Sequence, residues 1–140
     1  MITIKEQLQK MLDDQFVRQY PNVPDYARPK PKKGKSPANQ LTSDIIKHIT
    51  LIGGWATRVN TSGRVLNGKY ITGTTKLGTP DIIACIPSGR FVGIEIKIGK
   101  DKQSDAQKLV ESQIHKAQGN YFLVHNLDEW LRYYNDLICI

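Results

Sequence analysis

A chain of 140 residues with 20 Lys and Arg against 13 Asp and Glu, a formal charge of +7, has the length of one domain with an ordinary core and leaves no room for a second catalytic domain. Its longest uncharged apolar stretches, such as ITLIGGW and IIACI, fall far short of the roughly 18 residues of a membrane span, and the start MITIKEQLQK lacks a signal-peptide apolar run. The expected address is the cytoplasm with no membrane partner, and the positive balance favours a polyanion, nucleic acid first.

Residues 2–20 read as a short amphipathic helix with Ile4, Leu8, Met11, Leu12 and Phe16 on one face, an N-terminal appendage that ends near Pro21. Residues 21–40 are rich in proline and lysine, without apolar periodicity, and predict an extended linker or arm before a domain over 41–140. Ser36-Pro37 supplies an N-cap and first helical residue, followed by a Leu41, Ile45, Ile49, Ile52 stripe that stops at Gly53-Gly54. WATRVN alternates like a strand, and Asn67-Gly68 between RVL and KYI predicts a hairpin. The turn-rich TKLGTPD then leads into two apolar strands, IIACI and FVGIEIKI. Ser104 and Gln107 form a capping box for a helix with Ala106, Leu109, Val110, Ile114 and Ala117 on one face, closed by Gly119. YFLV reads as a buried strand, and Asn126 with Glu129 as a second capping box for a helix with Trp130, Leu131, Tyr134 and Leu137 inward. This order implies an α/β sheet with helices on both faces. Cys85 and Cys139 read as free thiols, and His48, His115 and His125 as structural or surface residues, since none has a partner at metal-ligand spacing.

Three charges, Asp81, Glu95 and Lys97, interrupt the two apolar strands, where an unpaired ion is expensive to bury. Pro87-Ser88-Gly89 fits a three-residue loop, a type I turn followed by a left-handed residue, which makes Ile86 face Arg90. Ile83 then lies opposite Gly93 and Asp81 opposite Glu95, whereas a two- or four-residue loop would set Asp81 against Ile96. Cross-strand carboxylates with Cβ atoms about 4.5–5.5 Å apart converge on one small cation, and Lys97 joins them on that face. A divalent ion there would polarise a phosphoryl oxygen and a water that Lys97 can hold or deprotonate. A structural Asp–Lys or Glu–Lys pair is the alternative reading of the same spacing.

Thr79-Pro80-Asp81 and, after thirteen intervening residues, Glu95-Ile96-Lys97 resemble the motif of the PD-(D/E)XK nucleases. With Gly78 in front and Ser104-Asp105-Ala106-Gln107 behind, the chain from about Leu41 to Trp130 resembles more closely the virus-type replication-repair nuclease (VRR-NUC) branch, with its G-x-P-D, E-x-K and S-x-x-Q elements. The resemblance implies a restriction-endonuclease-like fold, a mixed central sheet flanked by helices. It also implies Mg²⁺ or Mn²⁺ held by Asp81, Glu95 and the Ile96 carbonyl, with Lys97 serving the attacking water. Gln107 matches an additional active-site glutamine, although the capping box alone accounts for it; Asp44 stands where many members carry a metal-binding glutamate, and otherwise reads as a solvated helix residue.

The implied activity is metal-dependent hydrolysis of DNA phosphodiesters, leaving 5′-phosphate and 3′-hydroxyl ends, in replication, recombination or repair. The cell would be bacterial or virus-infected. Small stand-alone members resemble Holliday-junction resolvases, which implies branched DNA and a homodimer. A sequence-specific homing or restriction enzyme and an inactive nucleic-acid-binding module on the same fold are the alternatives. Candidate phosphate contacts are Arg28, Lys30, Lys32, Lys33 and Lys35 in the basic arm, with Arg58, Arg64, Lys69, Lys76 and Lys100 around the hairpin and the site.

Overall fold

Apolar alternation in IIAC and FVGIEI builds the hairpin at the centre of the fold. The computed structural model describes residues 2–30, 36–60, 63–73 and 75–139, of which the Arg64 side chain is left aside. Strands β4 (Ile82–Cys85) and β5 (Phe91–Ile96) pair antiparallel with Ile83 opposite Gly93, the expected register. On one side β1 (Trp55–Arg58) pairs antiparallel with β4, and on the other β6 (Asn120–Val124) pairs parallel with β5, giving a mixed sheet of order β1-β4-β5-β6. Strands β2 (Arg64–Leu66) and β3 (Lys69–Ile71) form a separate hairpin turned by Asn67 (φ 51°) and Gly68 (φ 74°), the two positive angles that an Asn-Gly turn supplies.

Helices cover both sheet faces. Ile82, Ala84, Val92, Ile94, Ile96 and Val124 point to one face, where they pack on Leu41, Ile45 and Ile49 of α2 (Pro37–Leu51) and on Trp130 and Leu137 of α4 (Leu127–Ile138). Ile45, Ile49 and Trp130 are fully buried, each apolar side chain contributing about 1.5–3 kcal/mol relative to exposure. The other face, carrying Gly93 and Glu95, lies under α3 (Asp105–Lys116): a Cβ added at Gly93 would sit 3.4 Å from Ile114 and 3.0 Å from Pro80. Helix α1 (Ile4–Gln19) rests on α2 and α4 through buried Leu8, and a one-turn 3₁₀ helix (Asp25–Ala27) follows it. No described helix is long and apolar enough to cross a membrane.

Several local expectations change. The loop has three residues, with Gly89 N–H donating to the Ile86 carbonyl at 3.0 Å and Ile86 N–H to that of Arg90 at 3.1 Å. Ser88, however, has φ 92° beside Gly89 at 77°, and a positive angle at the second central position belongs to a type II turn. Pro87 suits the first position of either turn type, so the apolar ladder sets the register and Ser88 absorbs the strain. Leu109 is 60 % exposed and Ala117 is exposed, while Ala106, Val110 and Ile114 are the apolar residues of α3 turned to the sheet. On α1, Ile4 and Met11 are exposed while Leu8 packs inward, and Thr3 with Glu6 forms a capping box that the sequence reading passed over. Asn126 caps α4 through Glu129 N–H, but the Glu129 carboxylate reaches back to His125 N–H and its ring and to the Tyr133 hydroxyl, so the second capping box is not reciprocal.

Candidate active site

Asp81 ends the turn before β4 and is gripped on both sides: its carbonyl accepts from Val59 N–H at 2.8 Å, and its Oδ2 accepts from Ile96 N–H at 2.9 Å. One step beyond the Ile82–Ile94 pair, it stands across from Glu95, as the three-residue loop requires. Glu95 is 2 % exposed. Its Oε1 accepts from Lys97 Nζ at 3.1 Å and from Gln107 Nε2, while its Oε2 is buried with no partner. Burial first, and then the Asp81 charge, push the Glu95 carboxyl above its ordinary value, against a smaller opposing pull from Lys97.

Lys97, 6 % exposed, also donates from Nζ to Gln107 Oε1 at 3.1 Å and lies 3.7 Å from Asp101 Oδ2. Gln107 is the joint of the site. Its Oε1 accepts from Ser104 N–H at 2.9 Å, closing the capping box, and the same side chain bridges Glu95 and Lys97. Cap and site contact coexist in one residue. Gly78 seats this helix start against the strand entry: its φ is 84°, and a Cβ there would lie 2.4 Å from the Ala106 carbonyl oxygen.

The structure therefore brings together Asp81, Glu95, Ile96, Lys97 and Gln107. Asp44 is not brought in. It is buried on α2, which packs on the opposite sheet face, and its Oδ1 accepts from Gln40 at 2.8 Å. Among the described residues no three or more His, Cys, Asp or Glu side chains are grouped to hold a metal. Two carboxylates and a backbone carbonyl are hard oxygen donors that suit Mg²⁺ or Mn²⁺. The buried, unpartnered Oε2 of Glu95 is the atom that such a cation would satisfy.

No family model and no curated protein matches the chain. A solved structure described as "VRR_NUC domain" aligns with it at a TM-score of 0.53, covering 70 % of this chain and 94 % of that one at 16 % sequence identity. The chain has the VRR-NUC fold.

On the VRR-NUC fold the basic candidates are scattered. Arg58, Lys69 and Lys100 are exposed at the end of β1, on the hairpin and in the turn after β5. Lys76 donates to Gln113 at 3.2 Å, Arg28 pairs with Asp25, and Lys30 is exposed. Arg64 opens β2, and Lys32, Lys33 and Lys35 lie outside the described residues. His48 is structural, its Nδ1 accepting from Trp130 Nε1 at 3.1 Å while burial lowers its pKa. Sequence reasoning passed over Asp101, which the turn after β5 brings within 3.7 Å of Lys97 Nζ, and Tyr121; nothing local in the sequence signals either. The Tyr121 hydroxyl is buried beside Gln103 without a well-aligned hydrogen bond, and burial above all pushes its pKa up to about 12.

Proposed function

We propose that this protein is a Mg²⁺- or Mn²⁺-dependent DNA endonuclease selective for branched substrates, acting in replication, recombination or repair. The observation that carries the reading is Glu95, buried with one carboxylate oxygen unpartnered, facing Asp81 and paired with Lys97. A bound divalent ion would neutralise charge on the phosphoryl group and acidify a water. Asp81, Glu95 and the Ile96 carbonyl are the groups to hold it. Lys97 Nζ orients the attacking water and takes its proton when neutral, and Gln107 fixes the positions of both Lys97 and Glu95. Attack in line with the 3′ oxygen breaks the P–O3′ bond and leaves a 5′-phosphate and a 3′-hydroxyl.

Incubation with Mg²⁺ and labelled duplex, flap, splayed-arm and four-way-junction DNAs tests this directly. Cleavage of a branched substrate in preference to duplex is expected, and no cleavage of any with Mg²⁺ or Mn²⁺ sinks it. The 3.1 Å Glu95–Lys97 pair is what favours the second reading, a binding module that keeps the fold. Calorimetry with Mn²⁺ separates the two, because a purely structural pair takes up no metal.

The resolvase resemblance supports a homodimer, to be read as twice the monomer mass by light scattering on the junction-bound protein. Of the apolar C-terminal run LRYYNDLICI, Leu131, Tyr133, Tyr134 and Leu137 pack into the chain's own core and Ile138 is exposed, so the run offers little surface to such a partner.

The basic arm tracks the phosphate backbone without reading bases in this proposal. Because α1 packs on the domain, deleting the N-terminal part would disturb the fold, and substitution is the cleaner test. Changing Lys30, Lys32, Lys33 and Lys35 to Gln removes four charges, from +7 to +3. Each lost phosphate contact lowers the slope of log affinity against log salt by about 0.9 on duplex DNA. The variant is expected to bind more weakly at low salt with a slope shallower by about 3 to 4, and to cut at the same position; an unchanged slope would mark the segment as a solvated linker.

A further inference from the structure

The sheet face that carries Glu95 is covered by α3 only in part. Beyond the helix, Trp55, Cys85 and Phe91 lie directly opposite one another across β1, β4 and β5. Phe91 shares its face with Gly93 and Glu95, and the cross-strand pairing puts Cys85 and Trp55 on that face too. Trp55 is 60 % exposed, Phe91 43 %, and Cys85 is exposed between them. Among the described residues neither Trp55 nor Phe91 stacks on another aromatic ring, whereas Trp130, Phe122, Tyr133 and Tyr134 pair among themselves in the core. Phe91 is backed on one side by Gly119, where an added Cβ would lie 3.3 Å from its ring.

Side chains stand roughly perpendicular to a sheet, so these two rings rise as walls from strands about 9.6 Å apart, with the small Cys85 side chain as the floor. That width accepts one flat ring stacked about 3.4 Å from each wall, with slack for tilt. Along β5, the row lies four residues from Glu95, roughly 13 Å, or about four steps of a stacked strand and fewer of a stretched one. The direct line along β5 is closed by α3 at Gly93, so a DNA strand held at the carboxylates would reach the row over β4 and β1, where Ile83 and Thr57 are half-buried and Cys85 and Trp55 exposed.

We propose that Trp55 and Phe91 form a slot for one unpaired nucleobase of the DNA held at the candidate active site. The proposal rests on the nuclease reading for its choice of ligand and extends it: a paired base cannot enter, so the slot selects substrates with a single-stranded branch or tail. Stacking between aromatic walls needs no base-specific hydrogen bond, so the selection is for structure and not for sequence.

The test is affinity, measured without added metal, for a duplex with a short single-stranded tail containing 2-aminopurine and for the same duplex blunt. Wild-type protein is expected to prefer the tailed DNA, to quench 2-aminopurine, and to lose Trp55 emission while Trp130, fully buried, keeps its own. Trp55→Ala, at an exposed position that leaves the core intact, is expected to lose roughly 10- to 100-fold in affinity for the tail with blunt-duplex affinity and salt slope unchanged. Trp55→Phe should keep most of the preference, and Cys85→Leu, which fills the floor and spares both rings, should remove it. Equal losses on tailed and blunt DNA, no loss on either, or no tail preference in the wild type would each overturn the slot. So would a Trp55→Ala that changes only the mass in sedimentation, which would make the row a contact between copies. Cleavage with Mg²⁺ is scored separately. A wild type that grips tails through Trp55 but cuts nothing sinks the nuclease reading and leaves the slot standing; one that cuts while Trp55→Ala keeps its tail preference does the reverse.

Discussion

Asp81→Asn and Glu95→Gln are each expected to abolish cleavage, by a factor of a thousand or more, while the fold and DNA binding persist. Each removes one carboxylate from a pair proposed to hold the divalent ion, and losing several kcal/mol of transition-state stabilisation lowers a rate by at least about 10³. The backbone survives both changes. An asparagine oxygen still accepts from Ile96 N–H, and a glutamine still fills the buried space under Gln107. The metal-free proteins carry a second signature. Burial and Asp81 raise the Glu95 pKa in the folded state, so between its ordinary value of 4.5 and that raised value the folded protein binds more protons than the unfolded one. Stability from this group is present below that window and declines as pH rises through it. Glu95→Gln removes the decline, so its melting temperature relative to wild type should improve from about pH 4 to neutral pH. Normal cutting by either purified variant would rule out the site, and parallel melting curves would rule out the strain on Glu95.

Lys97→Met should retain metal binding and lose about 10² to 10⁴ in cleavage rate, the usual contribution of a group that moves a proton. The methionine leaves Glu95 without its cation in a buried place, which costs about 3–5 kcal/mol in metal-free protein, so the variant should be assayed with saturating metal. Raising the pH is expected to restore part of the rate, because hydroxide then substitutes for the missing base. A rate close to wild type at neutral pH would reduce Lys97 to a charge partner. A deep loss that pH does not relieve would mean it orients water or offsets phosphate charge without taking the proton.

The hairpin register was legible because two local facts agreed: a loop of known length, and apolar residues that must all face one way. The site followed from that register, since Asp81, Glu95 and Lys97 are charges in strands that otherwise exclude them. Gln107 was legible as a cap, and only its contacts with Glu95 and Lys97 show that the cap also reaches the site. Where the outcome depended on what packs against what, local patterns fell short. Leu109 fits the apolar stripe of α3 as well as Val110 does, but it is exposed, because Ala106, Val110 and Ile114, spaced four residues apart, form the line turned to the sheet. Asp44 sits where the resemblance puts a metal ligand, yet α2 lies on the other side of the sheet. The Trp55–Cys85–Phe91 row joins residues from three strands and exists only once the sheet is assembled.

The shared duty of Gln107 makes the first turn of α3 and the site one cooperative unit. A helix end normally frays on its own, opening its terminal amides at little cost. Here, releasing Ser104 N–H from Gln107 also withdraws the amide that holds Glu95 and the oxygen that holds Lys97. Fraying of this one turn is therefore disassembly of the Glu95–Lys97–Gln107 cluster. Anything that stiffens the helix start, whether an ion between the carboxylates or a strand lying across them, slows the exchange of amides that it does not touch.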